Sequence, residues 1–240
     1  MPAHNGVSAA LMAACGFTGV DDVFSGVPDF LSIFSESPEP RRLIKGLGRD
    51  FEIMNCSIKR WSVGAPIQAP LQVLYELIQE HGLSARDVAR ILVHMPKKQL
   101  QVVDRRSMPD ICVQHLLALM PADGTVTFGS SHDYRRMTDR RVRGLRRKVD
   151  VVGDTALEDG ERTWRCAMEI TAKDGRFLRH GTMAAKGWYT NPQTRQDMEE
   201  KALDLMGPVL GPRRTRTLLA KLWSFERIGN VRALRKLLVA

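Results

Sequence analysis

No apolar run in the 240 residues approaches the roughly 20 that a membrane-spanning helix needs. The start, Met1-Pro2-Ala3-His4-Asn5-Gly6, lacks the basic region and leucine-rich core of a secretory leader. The expectation is a cytoplasmic protein with no membrane partner. Cysteine is sparse: Cys15, Cys56, Cys112 and Cys166 stand far apart, with no C-x-x-C pair and no ligand cluster. That spacing predicts reduced thiols, neither disulfide-bonded nor metal-bound. There is no internal repeat and no low-complexity segment. No Ser/His/Asp order, phosphate-cradling glycine loop or metal-ligand spacing stands out, so neither a cofactor nor a metal is expected.

What the chain does have is enough apolar material, 43% of its residues, to bury a core in one large domain or two small ones. It also has a formal charge of +9. Much of that excess lies in one window, where Arg135, Arg136, Arg140, Arg141, Arg143, Arg146, Arg147 and Lys148 are opposed only by Asp139. One reading is a nucleic-acid patch. The other is a solvated helix face, and the spacing favours it, because Val142, Leu145 and Val149 recur as a core stripe that long basic side chains can cover. Stacking aromatics are also missing from the window apart from Tyr134, so a nucleic-acid partner is not expected.

Periodicity divides the chain into helix, then mixed α and β, then helix. Small residues over 7–14 predict a closely packing helix ended at Gly16-Phe17-Thr18-Gly19, and Gly26-Val27-Pro28 through Phe34 predicts a short buried helix. A strand-like run follows at Phe51 to Met54, with a domain boundary near Cys56. Pro66 starts a helix whose stripe of Ile67, Leu71, Leu74, Tyr75 and Ile78 ends at His81-Gly82. Ser84-Ala85-Arg86-Asp87 reads as a capping box opening another helical turn, and Ile91 to Met95 as a strand stopped by Pro96. Met108 to Met120 reads as a helix. Alternation over Thr163 to Thr171, a turn at Lys173-Asp174-Gly175 and a return over Phe177 to Ala184 predict a hairpin. Helices are then expected over Met198 to Met206, from Pro212 to Trp223, and from an Asn230 cap to Leu238. Strands confined to the middle predict an α+β fold rather than a doubly wound sheet.

The stretch Ser57-Ile58-Lys59-Arg60-Trp61-Ser62-Val63-Gly64-Ala65-Pro66-Ile67-Gln68 carries the chemistry. It sets two cations just ahead of a Pro-started helix, where unpaired backbone N–H groups gather, an arrangement suited to a carboxylate or phosphate. His115, on an apolar helix, and His132, in a turn-like Ser130-Ser131-His132-Asp133, read as structural.

Four sets of residues also carry a family resemblance: Asn5-Gly6-Val7-Ser8-Ala9-Ala10-Leu11-Met12-Ala13 with Gly16-Phe17-Thr18-Gly19; the Lys59 loop; Met108-Pro109-Asp110 through Asp123-Gly124; and Lys186-Gly187 with Asn191-Pro192. In their order and spacing they resemble the MmgE/PrpD family, which includes 2-methylcitrate dehydratase and cis-aconitate decarboxylase. The resemblance implies an all-helical domain with a smaller α+β lid inserted in it. Residues 1–55 would be part of the helical domain and 56–190 the lid, with its central mixed or antiparallel sheet and helices. Residues 191–240 would return to the helical domain, and the chain would be the C-terminal half of a longer protein. It further implies a metal-independent lyase acting on a small di- or tricarboxylate, by dehydration or decarboxylation. Its partners would be the polycarboxylate and a separately supplied N-terminal helical half, with homodimerisation an open alternative.

On that mapping Lys59 is the catalytic lysine that opens the lid motif, usually Lys-x-Tyr-Pro followed by Cys or His and later a His. Arg60, Gln68 and Asp110 become substrate-binding candidates. This sequence departs from the motif at Trp61, Ser62, Gly64 and Gln68, and has Asp110-Ile111-Cys112 where relatives often have Asp-His-Cys or Asp-His-Ser. An amide at 68 and an isoleucine at 111 each remove a titratable group. A non-catalytic carboxylate-binding remnant is therefore the alternative function.

Overall fold

The computed structural model describes residues 1–26, 28–160 and 163–239. The chain divides into two compact units, Met1–Glu52 and Ile53–Ala240. The first holds α1 (Pro2–Ala14) and α2 (Phe30–Phe34), and none of its described residues is buried. α1 starts earlier than its small-residue pattern predicts, because Pro2 occupies the first helical turn, where a missing N–H is harmless. The helix expected from Gly26 begins only at Phe30, after an Asp29 cap, and its Val27 lies outside the described residues. It is also not buried: Ile33 and Phe34 are 67% and 76% exposed. The strand expected at Phe51 to Met54 is instead a single 3-10 turn, Glu52–Asn55.

The second unit contains the core. Its sheet is built from β1 (Val88–Pro96), β2 (Val149–Asp154), β3 (Cys166–Ala172) and β4 (Phe177–Thr182), in the spatial order β2-β1-β3-β4. β1 pairs parallel with β2 and antiparallel with β3, and β3 pairs antiparallel with β4, so the sheet is mixed. With the helices around it, this is an α+β fold. The hairpin follows from strict alternation: Cys166, Met168, Ile170 and Ala172 are buried while Glu169 and Thr171 of the same strand face outward. Ile91 and Val93 of β1 stand opposite Ile170 and Met168, making one apolar face. The other face is polar, with Arg90 paired to Asp150 at 2.8 Å across the parallel strands.

Two helices cover the apolar face. α3 (Gln68–His81) lies against β3 and β4, α5 (Val113–Asp123) lies against β2, and the two pack on each other. Leu71, Leu74, Leu77, Leu116, Leu117 and Leu119 are all essentially buried, each worth roughly 1.5–3 kcal/mol of hydrophobic stabilisation. α3 is preceded by a 3-10 turn, Ala65–Ile67, with Pro66 in its first turn, and stops at Gly82, whose φ of +61° makes a left-handed cap.

The crossover that parallel pairing requires runs through α4 (Lys97–Val103), α5, α6 (Phe128–His132) and α7 (Arg140–Arg146). Neither α4 nor β2 is foreseen from the sequence. The helical turn expected after Ser84 is a closed loop, in which the Asp87 carboxylate accepts from both the amide (2.8 Å) and the hydroxyl (2.6 Å) of Ser84. The helix expected from Met108 is split into a 3-10 turn at Pro109–Ile111 and α5. In α7 the core stripe is present: Val142 and Leu145 are buried, and the buried Val149 already belongs to β2.

The chain closes with α8 (Arg195–Leu210), α9 (Pro212–Leu222), a 3-10 turn Val231–Leu234 capped by Asn230, and α10 (Arg235–Leu238). α8 opens on a capping box between Thr194 and Asp197. Among the described residues no helix is long and apolar enough to cross a membrane. All four cysteines are free; Cys112 and Cys166 are buried, and burial pushes the Cys166 thiol above its ordinary range.

Candidate active site around the Lys59 loop

The loop from Ser57 to Gly64 is fixed from both sides. Distant backbone holds its start: the Ile58 amide donates to the Gly187 carbonyl at 2.7 Å, and the Tyr189 amide to the Ser57 hydroxyl at 3.2 Å. Gly187 has φ +98°, and a side chain there would collide with the Ile58 carbonyl oxygen, so only glycine permits this approach. The loop's end is bound to the core. Gln68, 1% exposed, donates from its amide nitrogen to the Trp61 carbonyl at 3.0 Å and accepts from the Trp61 amide at 3.2 Å. The Gly64 amide donates to the Asp110 carbonyl at 2.9 Å, and the Val63 amide to the Trp61 carbonyl, also at 2.9 Å. The amides of Trp61, Val63 and Gly64 are therefore engaged within the protein.

Lys59 is partly buried and donates from Nζ to the Val63 carbonyl at 3.0 Å. From α8, Lys201 Nζ donates to the Lys59 carbonyl. Burial, and then the neighbouring Lys59 charge, push the Lys201 ammonium below its ordinary pKa. Neither lysine has a carboxylate partner among the described residues. On the same helix, partial burial would raise the Asp197 pKa, but Lys186 at 2.6 Å and the Thr194 cap outweigh it and hold the carboxyl down at about 2.

Arg60 stacks on two rings, 4.9 Å from the Trp61 centroid and 4.4 Å from that of Tyr75, with Gln72 at 3.4 Å. It borders a hollow of about 220 Å³ together with Trp61, Thr127, Asp197, Lys201 and Asp204. Asp110, in the 3-10 turn before α5, meets the loop through its backbone, while its carboxylate lies 4.0 Å from His132 Nε2. His132 stacks on Phe128 at 4.2 Å, and its Nδ1 is 3.0 Å from the Phe128 carbonyl oxygen.

Lys59 and Arg60 thus share one loop, Asp110 meets that loop only through its backbone carbonyl while its carboxylate faces His132, and the Gln68 side chain is turned into the protein to hold the loop. Sequence reasoning missed Lys201 and the contact between His132 and Asp110. The signal for Lys201 was weak: a lysine on the first turns of a capped helix. Among the described residues no group of three His, Cys, Asp or Glu side chains could hold a metal ion.

Comparison with curated proteins returns no match. The family model for the MmgE/PrpD C-terminal domain, however, matches residues 61–224, more than half of the chain, beginning two residues after Lys59 and spanning the whole sheet. With its mixed sheet, its covering helices and this match, the chain belongs to the MmgE/PrpD family of dehydratase-like enzymes and carries that family's C-terminal domain.

Proposed function

We propose that this chain is the lid-bearing part of a cytoplasmic lyase that removes water from a small hydroxy di- or tricarboxylate such as 2-methylcitrate, without a metal. Family membership supports the reaction class. The observation that carries the site is the meeting of Lys59 and Lys201, two ammonium groups without carboxylate partners among the described residues, at one partly buried loop. Elimination needs cations for the carboxylates, a base for the Cα proton and a donor for the leaving hydroxyl. Lys59 serves the first need, with Lys201 beside it and Arg60 lining the adjoining hollow. The Asp110–His132 pair supplies a titratable group that position 68 lacks. The family's helical half is the proposed partner that completes the cleft.

A second reading, a carboxylate-binding remnant, is favoured by Gln68, a non-titratable amide engaged entirely with Trp61. One experiment separates the two. The chain, alone and with a helical half supplied, is incubated with 2-methylcitrate, citrate and cis-aconitate while turnover and binding are both followed. The lyase reading expects turnover, reduced in Lys59→Ala by the equivalent of about 2–4 kcal/mol with unchanged melting. Binding without turnover favours the remnant, and neither binding nor turnover removes both readings.

A further inference from the structure

Away from the Lys59 loop, α7, the start of β2 and the turn after α4 border an open pocket of about 370 Å³ whose polar lining is Arg105, Gln114, Arg143, Arg146, Arg147 and Asp150. We propose that it binds a small molecule through a diphosphate group, a site independent of the reading given above.

The charge count is the first ground. In the basic window Arg135 is paired with Asp133 at 2.9 Å, and Arg136 with Asp123 at 2.5 Å and Asp139 at 3.0 Å, while Arg140 and Arg141, outside the cavity, have no carboxylate partner among the described residues. None of the four cavity arginines has a carboxylate partner among the described residues, and the one acid in the lining, Asp150, is already taken by Arg90 at 2.8 Å. Four like charges around one concavity repel each other, and a polyanionic ligand relieves that repulsion. Two linked phosphoryl groups bring about three to four negative charges and oxygens suited to guanidinium forks. A monocarboxylate falls far short of that charge, and the volume lies at the small-molecule end of ligand pockets.

The second ground is Arg105 itself. Its φ of +46° is a conformation that a residue with a Cβ seldom adopts. The strain is maintained by a dedicated partner, Gln114, 6% exposed, which accepts from the Arg105 amide at 2.9 Å and donates to Asp104 at 2.6 Å. The next residue, Arg106, closes the end of α4 on the carbonyls of Val102 and Gln101 at 2.8 and 2.6 Å. Arg105 has no such task and borders the cavity. Gly144, in α7 between Arg143 and Leu145, has nothing within 4 Å of where a Cβ would stand, and a second hollow of about 510 Å³ opens there between Arg140, Arg143 and Arg147.

The test is calorimetric titration with inorganic pyrophosphate at physiological salt. Saturable binding is expected, weakened about tenfold or more in Arg143→Gln/Arg147→Gln and in Arg105→Asn, which tolerates the left-handed backbone. Lys59→Ala should bind as the native chain does. ADP in a parallel arm tells a nucleotide from the bare diphosphate, since affinity above that of pyrophosphate marks an organic subsite and equal affinity marks the diphosphate alone. Because Arg143 and Arg147 are exposed, unchanged melting checks that the variant is folded. The proposal is overturned by the absence of saturable pyrophosphate binding, by undiminished binding in both arginine variants, by equal competition from citrate, or by a single-stranded oligonucleotide that pyrophosphate fails to displace.

Discussion

Gln68 and His115 are both buried polar side chains on helices that pack against the sheet, and they are satisfied very differently. Gln68 meets both polar groups of the Trp61 backbone, so removing it strands a buried donor and a buried acceptor at once. Gln68→Ala should lower unfolding free energy by about 1–3 kcal/mol in urea titrations, and an unchanged midpoint would deny the amide its structural role. His115 is fully buried, with no hydrogen-bond partner for either ring nitrogen among the described residues. Burial first, and then the charges of Arg146 and Arg136, push its pKa from 6.5 down to about 4. The folded state therefore keeps the ring neutral where the unfolded chain already protonates it. Stability is full above pH 6.5 and falls as the pH drops toward 4, by roughly 3 kcal/mol in all. His115→Leu should remove that share of the acid sensitivity and melt no lower than the native chain at neutral pH, since no hydrogen bond is lost. A parallel pH profile for the two proteins would contradict the assignment. At this scale the sequence was informative where chemistry is local: the Lys59-Arg60-Trp61 run sits on the loop it suggested. Lys201 and His132 were hidden because only tertiary folding brings them to Lys59 and Asp110.

Elements were legible where one period and one pair of stop signals coincided. α3 shows its stripe, its Pro66 start and its Gly82 stop, and the β3–β4 hairpin shows alternation around a glycine turn. β2 was hidden because Val149 also completes the spacing of Val142 and Leu145, so a strand entering the sheet looked like the tail of a basic helix. α4 was hidden because Lys97-Lys98-Gln99 offers no side-chain cap and follows a proline that reads as a stop. The buried helix expected after Gly26 had apolar residues enough, yet Ile33 and Phe34 point outward, since composition does not say which side finds a partner. α7 carries a measurable weakness of its own in Gly144, which costs helix stability and packs against nothing. Gly144→Ala should raise unfolding free energy by about 0.5–1 kcal/mol, read from the denaturant midpoint, and a loss of stability would mean that the position is not an ordinary helical one.

Across the whole molecule, burial is divided unevenly: the described residues of Met1–Glu52 contribute none of the core, and the sheet unit contains all of it. Protease at low dose should therefore cut first within residues 1–52 and leave a resistant product beginning near Ile53, with mass spectrometry identifying the ends. Early cleavage inside α3 or the sheet would contradict that division. The tether at Gly187 bears on the order in which the structure arises. Ile58 is held by a residue from the far side of the hairpin, and the Lys59 carbonyl by one 142 positions along the chain. Contacts of such long span close late in folding, after helices and hairpins have formed from near neighbours. During synthesis the lysine loop emerges before α8, yet it has no fixed place until α8 has left the ribosome and folded back, so the part of the protein that would meet the substrate is among the last to be assembled.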